Sequence, residues 1–282
     1  MLLHSNENIR FNKTHSLSFL GKNGNRNTSR LIPTSHLHQD EEFSDETLGQ
    51  YVLTRGDYRI RLAEAPGRNK EVSALIKRMY SWRGYSIENT ASSYTQTTLE
   101  AFRGHDLVGT LSLGLDSENG LLADDLYGEK ISAFRTEGRK ACELSKLAID
   151  PQFSSKELLA SLFNLAYICG RLIHKATDFL IEINPRHTGY YKRMLGFQQL
   201  GEMRTCQRVN APAVLLHLEL DYVDAQISSL AGSHKPKERS LYPYFLPEHE
   251  EAKVAKKIWG VSIKAYPKPT IESRPYRIST PI

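Results

Sequence analysis

Between residues 55 and 232 the spacing of apolar positions changes repeatedly. Tyr58-Arg59-Ile60-Arg61-Leu62-Ala63 alternates at every second residue, the period of a half-buried strand. Past Asn69, a helix-capping residue type, Val72, Leu75, Ile76, Met79 and Tyr80 recur at three- and four-residue steps and predict a helix. Leu99–Arg103 and Leu107–Leu113 flank Gly104-His105-Asp106 and predict a hairpin. A helix over about 122–135 precedes the strand Ala141–Ile149, which Asp150-Pro151 ends. Ser154 and Glu157 have the spacing of a capping box. The helix after them, Leu158 to about His174, is apolar nearly all round, as a buried helix is. Phe179–Ile183 reads as a strand and His187–Leu195 as a short helix closed by Gly196. Gln198–Arg204 and Ala213–Leu220 read as two more strands.

The ends of the 282-residue chain lack this periodicity. Residues 1–54 are rich in Asn, Ser, Thr and His, and are expected to form a flexible N-terminal extension. Residues 233–282 hold Pro236, Pro243, Pro247, Pro267, Pro269, Pro275 and Pro281. They predict a tail with one short helix near Glu248–Ile258. The expected organisation is therefore a single α/β domain over 55–232 between two extensions.

The net charge of +5 sits in that tail. Residues 231–282 hold 10 Lys and Arg against 5 Asp and Glu, whereas residues 55–230 hold 22 against 21. The balanced centre carries no nucleic-acid signature. A basic tail can touch an acidic partner or a membrane surface, or remain a solvated tail. No apolar run approaches the roughly 18–20 residues of a membrane span. The first residues lack the basic and apolar regions of a secretory signal. Cys142, Cys169 and Cys206 form no CxxC pair, which points to a reducing, cytoplasmic setting.

The chemistry centres on Glu143. A carboxylate in the middle of an apolar strand requires a function or a partner, either as a proton acceptor or as an ion pair with Lys146 or an arginine. Cys142 has no histidine partner by spacing and reads as a buried cysteine. His36-x-His38 lacks a third ligand, so no metal is expected.

The order of elements resembles the GNAT acyltransferase fold, a central mixed, mostly antiparallel sheet flanked by helices. Two strings sharpen the likeness: Glu143-Leu144-Ser145-Lys146-Leu147-Ala148-Ile149-Asp150-Pro151, and Asn184-Pro185-Arg186-His187-Thr188-Gly189-Tyr190-Tyr191-Lys192-Arg193-Met194-Leu195-Gly196-Phe197. With Arg61-Leu62-Ala63-Glu64 and the helix after it, they are similar to the FeeM-type N-acyl amino acid synthases, relatives of the acyl-homoserine-lactone synthases. The resemblance spans about residues 57–225. The Glu-x-Ser-Arg core of those families appears here as Glu143-x-Ser145-Lys146.

The resemblance implies transfer of a long-chain acyl group from acyl carrier protein to the amine of an amino acid, with no tightly bound cofactor. Glu143 is the first candidate for the proton acceptor, and Glu71 on the first helix the second. Lys146 stands where the family carries arginine. It would bind the substrate carboxylate or orient Glu143, without the bidentate fork of arginine. The substrate-binding candidates are Ser145, Trp82, Arg83, Tyr190, Tyr191 and Lys156. Of these, Trp82 and Arg83, with Tyr85, would cover the acceptor pocket. Tyr190 and Tyr191 would line the thioester site or protonate the leaving thiolate, or simply pack. His187 is expected to cap its helix.

One absent motif bears on the donor. Acetyl-CoA enzymes of this fold place Gln/Arg-x-x-Gly-x-Gly/Ala before the cofactor helix, so that backbone N–H groups close on a diphosphate. Gln152-Phe153-Ser154-Ser155-Lys156-Glu157-Leu158-Leu159-Ala160 holds no glycine, and side chains impede that approach. Ser155, Lys156 and the helix N-terminus can still hold the single phosphate of a carrier-protein arm. A divergent CoA site, hence an acetyl-CoA-dependent N-acetyltransferase with acyl-CoA as co-substrate, is the competing reading. A catalytically silent domain that binds acyl chains or carrier protein is another.

Overall fold

Strand pairing carries the chain from one sheet edge to the other in nearly sequential order. The computed structural model describes residues 51–63, 70–81, 96–233 and 238–265. Its strands are β1 (Tyr51–Arg55), β2 (Tyr58–Leu62), β3 (Gln96–Arg103), β4 (Asp106–Leu115), β5 (Ala141–Ile149), β6 (Asp178–Ile183), β7 (Gln198–Gln199), β8 (Arg204–Cys206) and β9 (Ala211–Glu219). They order as β1-β2-β3-β4-β5-β6-β9-β7, with β8 beside β9. Every pairing is antiparallel except β5 with β6. The helices are α1 (Lys70–Ser81), α2 (Asp124–Thr136), α3 (Lys156–Tyr167), α4 (Thr188–Leu195), α5 (Leu220–Leu230) and α6 (Glu248–Ala265).

The two faces of the sheet follow from strand alternation. Leu99, Leu111, Leu113, Leu144, Ile181 and Leu216 point to one side and pack against α3, whose residues Leu158–Tyr167 are all buried. The other side is covered by α1, through Leu75, Met79 and Tyr80, and by α2, through Tyr127 and Ile131. Among the described residues no helix is long and apolar enough to cross a membrane.

Several boundaries differ from the sequence reading. The expected extension over 1–54 ends earlier, because Tyr51–Arg55 is a strand. Gly56, at φ 59°, turns the chain so that β1 pairs with β2, and Tyr51, Val52 and Leu53 are buried. The expected tail also enters the fold. Leu241, Tyr242, Phe245, Leu246 and Ile258 are core residues. Pro243 lies inside a 3-10 turn and the Pro247 carbonyl opens α6, so these prolines shape turns rather than loosen the chain. The helix expected at Glu248–Ile258 runs to Ala265.

The α3 cap is Ser155 rather than Ser154: Ser155 Oγ accepts from Leu158 N at 3.0 Å. The helix expected to reach His174 changes to π geometry over Ile168–Ile173. The single strand expected at Gln198–Arg204 divides into β7 and β8. Leu200 N and Gly201 N both donate to the Leu215 carbonyl there, and Gly201 lies against the Tyr127 ring where a β-carbon would clash. Helix α5 was not anticipated from the sequence.

Candidate active site

The parallel strands β5 and β6 pair at Ala141–Asp178, Cys142–Phe179 and Glu143–Leu180, and no further. β5 continues to Ile149 and β6 to Ile183, so the strands part just after Glu143. Opposite β4 the register shifts. Thr110 faces Ala148 and Ser112 faces Ser145, which leaves Lys146 and Leu147 opposite Leu111. This is a β-bulge, and Lys146 takes φ 53°, a left-handed conformation that costs a non-glycine residue about 1–2 kcal/mol. The bulge returns Leu147 to the α3 face and leaves Glu143 and Ser145 on the side beneath α1 and α2.

Glu143 is 2% exposed. Its Oε2 accepts from the Ala123 backbone N–H at 3.0 Å, and its Oε1 has no hydrogen-bond partner among the described residues. Burial pushes its carboxyl up to about 7, and the neighbouring Glu182 adds to the rise. Lys146 Nζ donates to Gln96 Oε1 at 3.0 Å, so the expected Glu143–Lys146 ion pair is replaced by a backbone bond on one side and an amide on the other. Burial lowers the Lys146 ammonium while the Glu143 charge works against that.

Two functional candidates were missed in the sequence. Glu182 is fully buried on β6, and its Oε2 accepts from Arg208 Nη2 at 2.7 Å while its Oε1 has no hydrogen-bond partner among the described residues. Arg208 Nη1 donates at 2.7 Å to both the Leu122 carbonyl and Asp125 Oδ2. Glu182 carried the same signal as Glu143, a carboxylate inside the apolar strand Phe179–Ile183. Arg208 lies in the polar turn between β8 and β9 and had no periodic signal.

A band of polar side chains crosses the sheet on this same face. Thr98 Oγ1 and Ser112 Oγ share a hydrogen bond of 2.9 Å, Ser145 stands opposite Ser112, and Arg61 Nε donates to Glu100 at 3.0 Å. Thr110 and Ser145 are buried, and their hydroxyls have no hydrogen-bond partner among the described residues. Orphaned polar atoms along the face that holds Glu143 suit a polar ligand head group.

The other expected site residues lie around this centre. Glu71 is exposed in the first turn of α1. Lys156 opens α3 beside the Ser155 cap, after a 3-10 turn at Pro151–Phe153 that Asp150 caps. Tyr190 packs edge-on to Tyr191 at 5.6 Å, and burial pushes its phenol up. Tyr191 is fully buried among Phe163, Phe197 and Tyr190, a packing position. His187 stands at the N-cap of α4 without capping it through its side chain; its ring accepts from Arg186 Nε instead. Trp82, Arg83, Tyr85, and His36 with His38 lie outside the described residues. Among the described residues no group of three His, Cys, Asp or Glu is placed to hold a metal ion.

A family model described as N-acyl amino acid synthase FeeM matches residues 71–219, more than half of the chain. The solved structure of FeeM, an N-acyl amino acid synthase from uncultured soil microbes, is 29% identical with a TM-score of 0.55. The match covers 58% of this chain and 92% of that one. A putative N-acetyltransferase from Lactobacillus plantarum matches at 15% identity and TM-score 0.42, over 58% of this chain and 99% of the other. The AHL synthase LasI matches at 13% identity and TM-score 0.41, over 58% and 90%. No match was found among curated protein sequences. The sheet and its covering helices have the GNAT-like acyltransferase fold.

Proposed function

Because the chain belongs to the FeeM family of N-acyl amino acid synthases, and is therefore an acyltransferase, we propose that it moves a long-chain acyl group from an acyl-carrier-protein thioester to the amine of an amino acid. The observation that carries this reading is Glu143, a buried carboxylate whose Oε1 has no partner among the described residues, where β5 and β6 part. An amino acid arrives as an ammonium. Glu143 accepts one of its protons, directly or through one water, and the neutral nitrogen attacks the thioester carbonyl. The C–S bond then breaks, and the departing thiolate leaves as the thiol, taking the second proton that the attacking nitrogen sheds as it becomes the amide. A carboxyl raised to about 7 suits this exchange near neutral pH. The buried polar band of Thr110, Ser112 and Ser145 supports a polar, amino-acid-sized acceptor over an apolar one.

The donor half of the reading rests on the turn between β5 and α3. It is a glycine-free 3-10 turn whose following helix is capped by Ser155, with Lys156 beside it. That arrangement suits one phosphate better than a diphosphate. The test is turnover of the purified chain with long-chain acyl carrier protein and with acetyl-CoA, each with a mixture of amino acids, read by mass spectrometry. Long-chain N-acyl amino acids from the carrier protein, with little product from acetyl-CoA, are expected. Equal or better use of acetyl-CoA would sink the carrier-protein donor.

A further inference from the structure

The peptide group between Leu122 and Ala123 touches two charged side chains at once. Its carbonyl accepts from Arg208 Nη1 at 2.7 Å, and its N–H donates to Glu143 Oε2 at 3.0 Å. The same guanidinium holds Glu182 Oε2 and Asp125 Oδ2, each at 2.7 Å. One planar amide therefore stands between a fixed cation and the carboxylate of Glu143. A cation on the carbonyl side polarises an amide and strengthens its N–H as a donor. That donor favours the ionised carboxylate and fixes its rotation, which leaves Oε1 as the oxygen open to a proton.

Glu182 gives the arrangement its second half. It lies two residues beyond Leu180, the partner of Glu143, and so on the same face of the neighbouring strand. Its negative charge opposes ionisation of Glu143, while its bond to Arg208 holds the guanidinium in place. Among the described residues, the other charged groups on the elements around Glu143 are engaged elsewhere. Lys146, on the same strand, donates to Gln96. Asp124 on α2 is held by Arg135, and Asp125 by Arg208.

We propose that Arg208, held by Glu182 and acting through the Leu122–Ala123 peptide, is a positioning residue that sets the orientation and proton affinity of Glu143. The proposal rests on the proton-acceptor role proposed above for Glu143. A clip that merely tied the turn before β9 to α2 would act on Glu143 only through its charge, so that Arg208→Lys would restore kcat together with the midpoint.

The test uses the full chain labelled with ¹³C at glutamate carboxyls and titrated by NMR. The Glu143 resonance is identified by its loss in Glu143→Gln. Removing Arg208 alone would also leave Glu182 without its bonded cation, so the comparison is Glu182→Gln against Glu182→Gln/Arg208→Gln. The double variant is expected to raise the Glu143 midpoint by about half to one pH unit. The acid limb of kcat/KM for acyl transfer should rise with it, and kcat should fall more than KM changes. Arg208→Lys in the same background keeps the charge and loses the fork. It should restore much of the midpoint and little of kcat. A Glu143 midpoint that does not move in a folded double variant overturns the proposal. If the double variant does not fold, Arg208→Lys with midpoint and kcat both unchanged overturns it instead. The titration requires no turnover. A chain whose Glu143 midpoint responds as stated but which transfers no acyl group would keep the relay and refute the proposed reaction.

Discussion

The side-chain amide of Asn164 in α3 donates to Glu251 in α6 at 2.6 Å, with both residues buried. The other end of the same amide accepts from the Leu246 backbone N–H at 2.9 Å. One asparagine in the central helix thus fastens the C-terminal segment at two points. The cost falls on Glu251, whose carboxyl burial pushes up to about 7, with Glu248 and Asp224 adding to the rise and Asn164 working against it.

This gives a pH-dependent stability with a definite sign. A carboxyl whose pKa is raised on folding binds protons more tightly when folded. Its contribution is complete below about 4.5 and is lost as pH rises through about 7. Glu251→Gln should therefore be nearly neutral at pH 5 and should stabilise the chain at pH 8, by on the order of 2 kcal/mol. Thermal unfolding of both forms across pH 5–8 checks it. A variant that loses stability equally at both ends would show that the ionised carboxylate is the bonded form.

The packing of the same segment makes a second prediction. Tyr242 is 1% exposed, and its hydroxyl donates to the Leu195 carbonyl at 2.6 Å, which ties the segment to the end of α4. Tyr242→Ala removes a large buried ring and should cost about 3–5 kcal/mol. Tyr242→Phe leaves a buried carbonyl without that donor and should cost about 1–3 kcal/mol. Denaturant melts of the two variants check both values. Limited proteolysis should likewise spare residues 238–260 in the folded chain.

The elements legible in the sequence were those whose period matched their burial. β2 alternates because one face meets the core, and α3 is apolar all round because sheet, turn and α6 surround it. β1 was not legible. Tyr51-Val52-Leu53 is a three-residue apolar run beside an acidic, polar stretch, and only its pairing with β2 makes it a strand. The C-terminal segment misled for a related reason: its prolines lie in turns packed on the core, and composition alone does not separate such turns from a loose tail. At the site, the same reasoning that singled out Glu143 applied to Glu182. Arg208 lies in a turn, bonds Glu182 directly and reaches Glu143 only through a distant peptide group, links that no local spacing records.

Asp178 supplies a test at the first residue of β6. It is fully buried at the first β5–β6 pair, where it accepts from His217 Nε2 at 2.6 Å, from Arg139 and from Thr177. Burial raises its pKa, but those donors outweigh it and hold the carboxyl at about 2. Its stabilisation is present above about pH 4 and is lost as pH falls towards 2. Asp178→Asn removes the buried charge that Arg139 pairs with, leaves that guanidinium only Glu219 at 3.5 Å, and should cost about 2–3 kcal/mol at pH 7. The gap between the two proteins should narrow as the pH is lowered from 4 to 2. Equilibrium unfolding at several pH values reads both effects.

The last prediction concerns Glu143, where stability and activity should move in opposite directions. Glu143→Gln keeps the shape, and its amide oxygen can still accept from Ala123 N–H. What it loses is a group able to take a proton. Acyl transfer should fall by about 10²–10⁴, the usual worth of a positioned base. The loss should shrink at high pH, where more of the amine substrate is already neutral. Stability should not fall with activity. The Glu143 carboxyl rises to about 7 on folding, so in the parent chain its contribution is complete below about 4.5 and is lost as pH rises through 7. The variant lacks that loss and should be at least as stable as the parent at pH 8. Thermal unfolding and turnover measured on one preparation, at pH 6 and pH 8.5, separate the cases. A stable variant with full turnover would remove Glu143 from the chemistry and leave Glu71, exposed at the start of α1, as the carboxylate to test next. A variant destabilised at every pH would mean that the carboxylate is chiefly a structural partner of the Ala123 N–H, and its turnover per folded molecule should then be nearly normal.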